Sequence, residues 1–138
     1  MSILSNAAFI HTVANFSTIL FALVIVLQIL LASGILPVSM AWGGRQSKLT
    51  PSLRVASLVA AVLLGAFIYI IRYRAGLIDL SPIPLFIKVL SWIVTGFMAF
   101  NTLGNLASTS KAEKIVFAPL TVLLTLSCLI VSASSTAM

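Results

Sequence analysis

The chain has 138 residues, 61% of them hydrophobic, with a mean hydropathy of +1.23 and eight Lys and Arg against two Asp and Glu, a net charge of +6. Only 7% of the residues are charged, against about a quarter in a soluble domain. A water-soluble fold is excluded because too little polar surface exists to cover it. A second domain is excluded because nothing is left to build one. What remains is an all-α membrane protein, a single four-helix transmembrane bundle over 1–138.

The charges cluster, and the gaps between clusters are the spans. No Asp, Glu, Lys or Arg occurs in 1–44, 55–71, 89–110 or 115–138. About twenty helical residues cross a bilayer core of about 30 Å, so each gap holds one helix. The expected spans are near 14–40, 53–72, 85–108 and 115–135. Runs such as Leu20 to Leu27 and Val59 to Leu64 do not alternate with period two, which rejects β-barrel strands. Asn6, His11 and Thr12 make the first 13 residues too polar for a deep span, so they extend the first helix or lie at the interface. No basic n-region precedes the first apolar stretch, so the first span is read as permanent rather than as a cleaved signal. Pro37 is expected to kink or end that span, and Trp42 to close it. Gly43, Gly44 and Pro51 mark the first connection, and Gly76, Pro82 and Pro84 the second. Ser108 to Lys114 form a short third connection, with Pro84 and Pro119 in the first turns of the third and fourth helices.

The first and third loops hold Arg45, Lys48, Arg54, Lys111 and Lys114, whereas the opposite side holds Arg72, Arg74 and Lys88. The positive-inside rule then places those two loops in the cytoplasm and both termini outside, in a bacterial inner membrane. Tyr69, Tyr73 and Trp92 gather toward the second-loop end as an aromatic belt would. The basic residues flank membrane spans and form no stripe interleaved with exposed aromatics, so lipid headgroups rather than nucleic acid are their expected partners. Lys88 is read as snorkelling to the headgroups, or as joining Arg72 and Arg74 in an anion or lipid-headgroup contact.

The reactive residues are few. Cys128 is the single cysteine and His11 the single histidine, which argues against thiol redox pairs, a bis-histidine haem and zinc chemistry. The two acids, Asp79 and Glu113, fall in expected loops, and the spans contain none. Proton-coupled transport normally relays through an intramembrane carboxylate or histidine, so it is disfavoured. Ser110 and Glu113 have the Ser-x-x-Glu spacing of a capping box, which assigns Glu113 to the start of the fourth helix as a structural residue. No nucleophile lies beside a base, so no enzyme and no cofactor are expected.

The informative residues are neutral and polar. Gln28 lies in the first span, and Asn101 and Asn105 share a face of the third. An unpaired amide in hydrocarbon costs several kcal/mol, so each needs a partner. Gln28 and Asn101 lie toward the same end of the bundle, and a meeting between the first and third helices is expected. Thr121, Thr125, Cys128 and Ser132 form one face of the fourth helix, and Ser91, Thr95, Thr102 and Asn105 a comparable one on the third. Ser57, Ala61 and Gly65 give the small-xxx-small spacing of close helix contact. Gln28, Thr95, Asn101, Thr102, Asn105, Thr121 and Thr125 therefore either pack the bundle interior or an oligomer interface, or line a permeation path.

Two four-helix families fail at residues that matter. Small multidrug resistance transporters act through a glutamate in the first helix, and no acid stands there in this chain. Fluoride channels carry a Phe-Ser-Thr element in the third helix, whereas Phe16-Ser17-Thr18 lies in the first. Ala41-Trp42-Gly43-Gly44, Leu49-Thr50, Leu53-Arg54-Val55-Ala56-Ser57, Arg74-Ala75-Gly76 and Asn101-Thr102-Leu103-Gly104-Asn105-Leu106 extend over most of the chain. On these residues it resembles small bacterial four-helix integral membrane proteins that carry no assigned activity, a resemblance that implies location and fold only. The functional expectation is a homo-oligomeric, channel-like or passive transport unit for an ion or small polar solute. The alternative is an accessory subunit of a larger membrane complex, its polar faces used for packing.

Overall fold

In the computed structural model, residues 2–79 and 82–135 are described. They form four helices long and apolar enough to cross a membrane. Helix α1 is Ala7–Ser33, α2 Pro51–Arg74 and α3 Leu85–Leu106. A π-turn, Glu113–Phe117, leads into α4, Ala118–Ala133. The all-α four-helix bundle expected from composition is the observed fold.

Local chemistry sets the helix ends. The Asn6 side chain accepts from the Phe9 N–H at 3.2 Å and starts α1; Thr50 does the same for Leu53 at 3.2 Å, with Pro51 in the first turn of α2. Gly76 closes α2 at φ +81°, where its N–H bonds the Tyr73 carbonyl and that of Leu77 the Arg72 carbonyl, a Schellman pair. Pro84 stands at the N-cap of α3.

The first span departs from expectation. Gly34, at φ +85°, terminates α1 three residues before Pro37, whereas at the other end residues 7–13 extend the helix, one of the two roles expected for the polar start. Thr12 tolerates this by donating to the Ala8 carbonyl at 2.9 Å, which satisfies its hydroxyl within the helix. Pro37 instead caps a 3-10 turn, Val38–Met40, and Trp42 lies in a second turn, Trp42–Gly44, well after the helix has ended. In the fourth span, Pro119 has no N–H for the carbonyl one turn back, and the widened π-turn stands immediately before it.

α1 packs on α2 and α4, and α3 on α4 and α2, so α1 and α3 lie across the diagonal. The shared core contains Ile10, Phe21, Ile71, Met98, Leu124 and Val131, all without exposed surface. Phe67 meets Phe21 and Phe97 edge-on at 6.2 and 5.2 Å. Large apolar side chains such as Val62 and Phe100 cover the outside, as lipid contact requires. The small-residue stripe of α2 is not its contact face. Ser57 is buried but Gly65 is exposed, because steps of four residues drift about 40° each around a 3.6-residue helix. The buried face runs through Ser57, Leu64, Phe67, Ile71 and Arg74.

Candidate functional site: a polar cavity at one end of the bundle

Most of the hydroxyl face expected on α3 and α4 is a seam that joins the two helices. Thr95 meets Ser132 at 3.1 Å, Thr102 meets Thr125 at 3.3 Å, and Asn105 Nδ2 donates to Thr121 Oγ1 at 3.2 Å. Thr95 and Thr121 also donate back into their own helices, to the Ser91 and Phe117 carbonyls, while of Thr102 and Thr125 one donates across the seam and the other to its own helix, to the Met98 or the Thr121 carbonyl. Their hydrogen-bonding capacity is largely spent. Thr95, Thr102 and Thr125 therefore hold α3 against α4.

The seam runs out, at Asn105 and Thr121, into a cavity. Gln28 from α1, Asn101 and Asn105 from α3, and Thr121 from α4 line one cavity of ≈130 Å³. Val24, Ala41, Trp42, Glu113 and Phe117 complete its wall. Gln28 and Asn101 thus line one space across the bundle diagonal, but the expected meeting does not become a pair: their helices do not pack side by side, and Gln28 Oε1 has no partner. The cavity reaches about 12 Å along the fourth span, from Glu113 to Thr121. Beyond Val24 and Thr121 the interior is filled by Phe21, Met98, Leu124 and Cys128, none with exposed surface. The cavity is blind toward the end of the bundle that carries the termini.

Glu113 corrects the sequence reading. It is the first residue of the fourth membrane-length helix, Glu113–Ala133, only 8% exposed, and it faces the cavity. The reason is helical phase. Glu113 and Phe117 stand two turns and one turn before Thr121, so Glu113 extends the inward stripe of Thr121 and Cys128 backwards. That extension was legible in the sequence, but the capping-box spacing offered a simpler role. Only half of that box forms, because Ser110 Oγ accepts from the Glu113 N–H at 3.4 Å whereas the carboxylate does not return to Ser110. Instead Glu113 Oε1 accepts from the Gly43 N–H at 3.4 Å, across to the first loop. Glu113 Oε2 is buried with no hydrogen-bond partner, and so is Gln28 Oε1.

The first loop forms the cavity's cover. Trp42, Gly43 and Gly44 are consecutive residues with positive φ, at 56°, 78° and 76°. A tryptophan in that region costs of order 1–3 kcal/mol and persists only where its surroundings hold it. Here the hold comes from the third loop: the Thr109 N–H and Oγ1 both donate to the Gly43 carbonyl, at 3.3 and 2.7 Å. A Cβ on Gly44 would stand 2.7 Å from the Ser110 nitrogen and 2.7 Å from Thr109 Oγ1, so only glycine allows the two loops to approach this closely.

At the other end of the bundle, Arg72 and Arg74 are turned to different partners. Arg74 is 3% exposed and donates to the carbonyls of Ser132 and Ser134, tying the end of α2 to the end of α4. Arg72 donates to Asn15 Oδ1 at 2.8 Å and Thr18 Oγ1 at 3.2 Å on α1. Lys88 is half-buried in the first turn of α3. Two of the three are thus engaged in joining helices. Among the described residues, no three His, Cys, Asp or Glu side chains gather where they could hold a metal ion.

No family model, curated protein or solved structure matches this chain.

Proposed function

We propose that the protein is a small membrane transport unit that takes up an ion or small polar solute in the cavity between α1, α3 and α4. One observation carries the reading: two buried oxygens, Glu113 Oε2 and Gln28 Oε1, have no protein partner, and both residues line the same cavity. Leaving a buried polar atom unpaired costs about 1–3 kcal/mol, more for a charged group. Ser57 Oγ is also buried without a partner, but it does not line the cavity, whereas these two oxygens fall on one wall. The blind floor means that passage requires the layer of Phe21, Met98 and Leu124 to part, so the resting unit is a closed one. This keeps the channel-like or passive transport function and moves its polar residues from the hydroxyl seam to Gln28, Asn101, Asn105 and Glu113.

The test is flux through liposomes that contain the purified protein, with small monovalent ions and small neutral solutes such as urea and glycerol. Flux of at least one of them, lost in Asn101→Leu but kept in Thr95→Val, is the expected result. Absence of flux for all of them, or flux that Asn101→Leu leaves unchanged, overturns the proposal.

A further inference from the structure

The geometry points to a monovalent cation site in this cavity, with Glu113 Oε2 and Gln28 Oε1 as its oxygen ligands and Trp42 in its wall. The inference rests on the transport reading only for the cavity being the place where solute sits; it adds the sign and size of the charge.

The fully buried wall atoms without a hydrogen bond are both oxygens. Glu113 uses one carboxylate oxygen on the Gly43 N–H and keeps the other free, and Gln28 Oε1 is likewise without a donor. Thr121 Oγ1 accepts from Asn105 and donates to the Phe117 carbonyl, which leaves it a single lone pair. An anion placed here would meet a carboxylate, whereas a cation would meet two unshared oxygens. Lys111 and Lys114, the basic neighbours of Glu113 in sequence, are exposed. Compensation for its charge within the protein comes from the Gly43 N–H and from the positive end of the fourth helix.

Charge count selects the class of cation. Among the described residues, Glu113 is the only ionisable side chain in the cavity wall. One carboxylate balances a single positive charge and leaves a divalent ion half-neutralised in a low-dielectric setting. Calcium also takes six to eight oxygens, more than these residues provide, and magnesium holds its own water octahedron. A cavity of ≈130 Å³ admits an alkali ion with part of its hydration, or a primary ammonium such as methylammonium.

Trp42 supplies a direct readout. The chain has two tryptophans, and Trp92 lies outside the cavity, so Trp92→Phe leaves Trp42 as the sole reporter. The purified Trp92→Phe protein in detergent is titrated with NaCl, KCl or methylammonium chloride, with N-methylglucamine chloride holding ionic strength constant. The expected result is a saturable change in Trp42 emission with at least one of the three small cations. Glu113→Gln weakens that binding by at least tenfold and Gln28→Leu by several-fold, while Thr95→Val leaves it unchanged. Folding of each variant is checked by circular dichroism and gel filtration, and Gln28→Leu stands as the second variant if Glu113→Gln does not fold. Emission that follows ionic strength alone, or an identical titration in Gln28→Leu and Glu113→Gln, overturns the site. Neutral-solute flux with no cation binding rejects the site and leaves transport standing. Saturable cation binding in a protein that passes nothing supports the site and rejects transport.

Discussion

The two ends of the bundle each bury a charge, and they treat it in opposite ways. At the end bearing the termini and the second loop, Arg74 is enclosed and its guanidinium donates to the carbonyls of Ser132 and Ser134. At the end bearing the first and third loops, Glu113 is almost as enclosed, yet one oxygen stands free beside a cavity. A guanidinium is a fork of donors that suits the unpaired carbonyls left by the last turn of a helix. A carboxylate offers only acceptors, and the surrounding groups at its end supply a single backbone N–H. The first arrangement ties helices together, and the second leaves a position for something to bind.

This contrast is open to mutation. The largest effect is expected at the closed end. Arg74→Met leaves the buried carbonyls of Ser132 and Ser134 without this donor and should cost about 3 kcal/mol of stability, read as a shift in unfolding by denaturing detergent in mixed micelles. A cost below about 1 kcal/mol would mean that Arg74 does not fasten α2 to α4. Next comes the cover of the open end. Gly44→Ala introduces a Cβ against Ser110 at a positive φ, and a loss of about 2 kcal/mol is expected by the same measurement. Proteolysis within the first loop should accelerate alongside it.

Glu113→Gln sharpens the comparison most, because its sign is opposite. The amide keeps an oxygen for the Gly43 N–H and removes an underpaired buried charge. Stability should be unchanged or higher by up to about 1 kcal/mol, even as function at the cavity is lost. A large loss of stability would place Glu113 beside Arg74 as a structural residue and erase the distinction between the ends. The smallest effect belongs to the seam. Thr102→Val removes one interhelical hydroxyl contact between α3 and α4 and should cost about 0.6 kcal/mol, the average for such bonds within membranes.

The sequence alone determined the class and the wiring. Ten charges in an apolar chain leave room for four helices and little else. The hydroxyl periods on the third and fourth spans marked the faces that carry the seam, and depth along the spans set Gln28 and Asn101 at one level, although the pairing expected of them does not form. Gly34 was also readable as a helix stop, but the apolar run through Val38 concealed it, since hydrophobicity reports burial and is silent on local backbone hand.

Tertiary structure decided what each polar residue is for. Thr102 and Gln28 are both polar residues inside spans, yet one is consumed by a neighbouring helix and the other keeps a free oxygen. That difference arises from which helix stands opposite, a relation between segments distant in the chain. The role of Glu113 was likewise hidden. Its spacing from Ser110 described a cap, whereas its rotation into the cavity depends on the phase of the fourth helix and on the first loop arriving from 70 residues away. Composition counts polar groups and periodicity assigns them to faces, but whether a buried oxygen finds a donor is settled only when the helices are packed together.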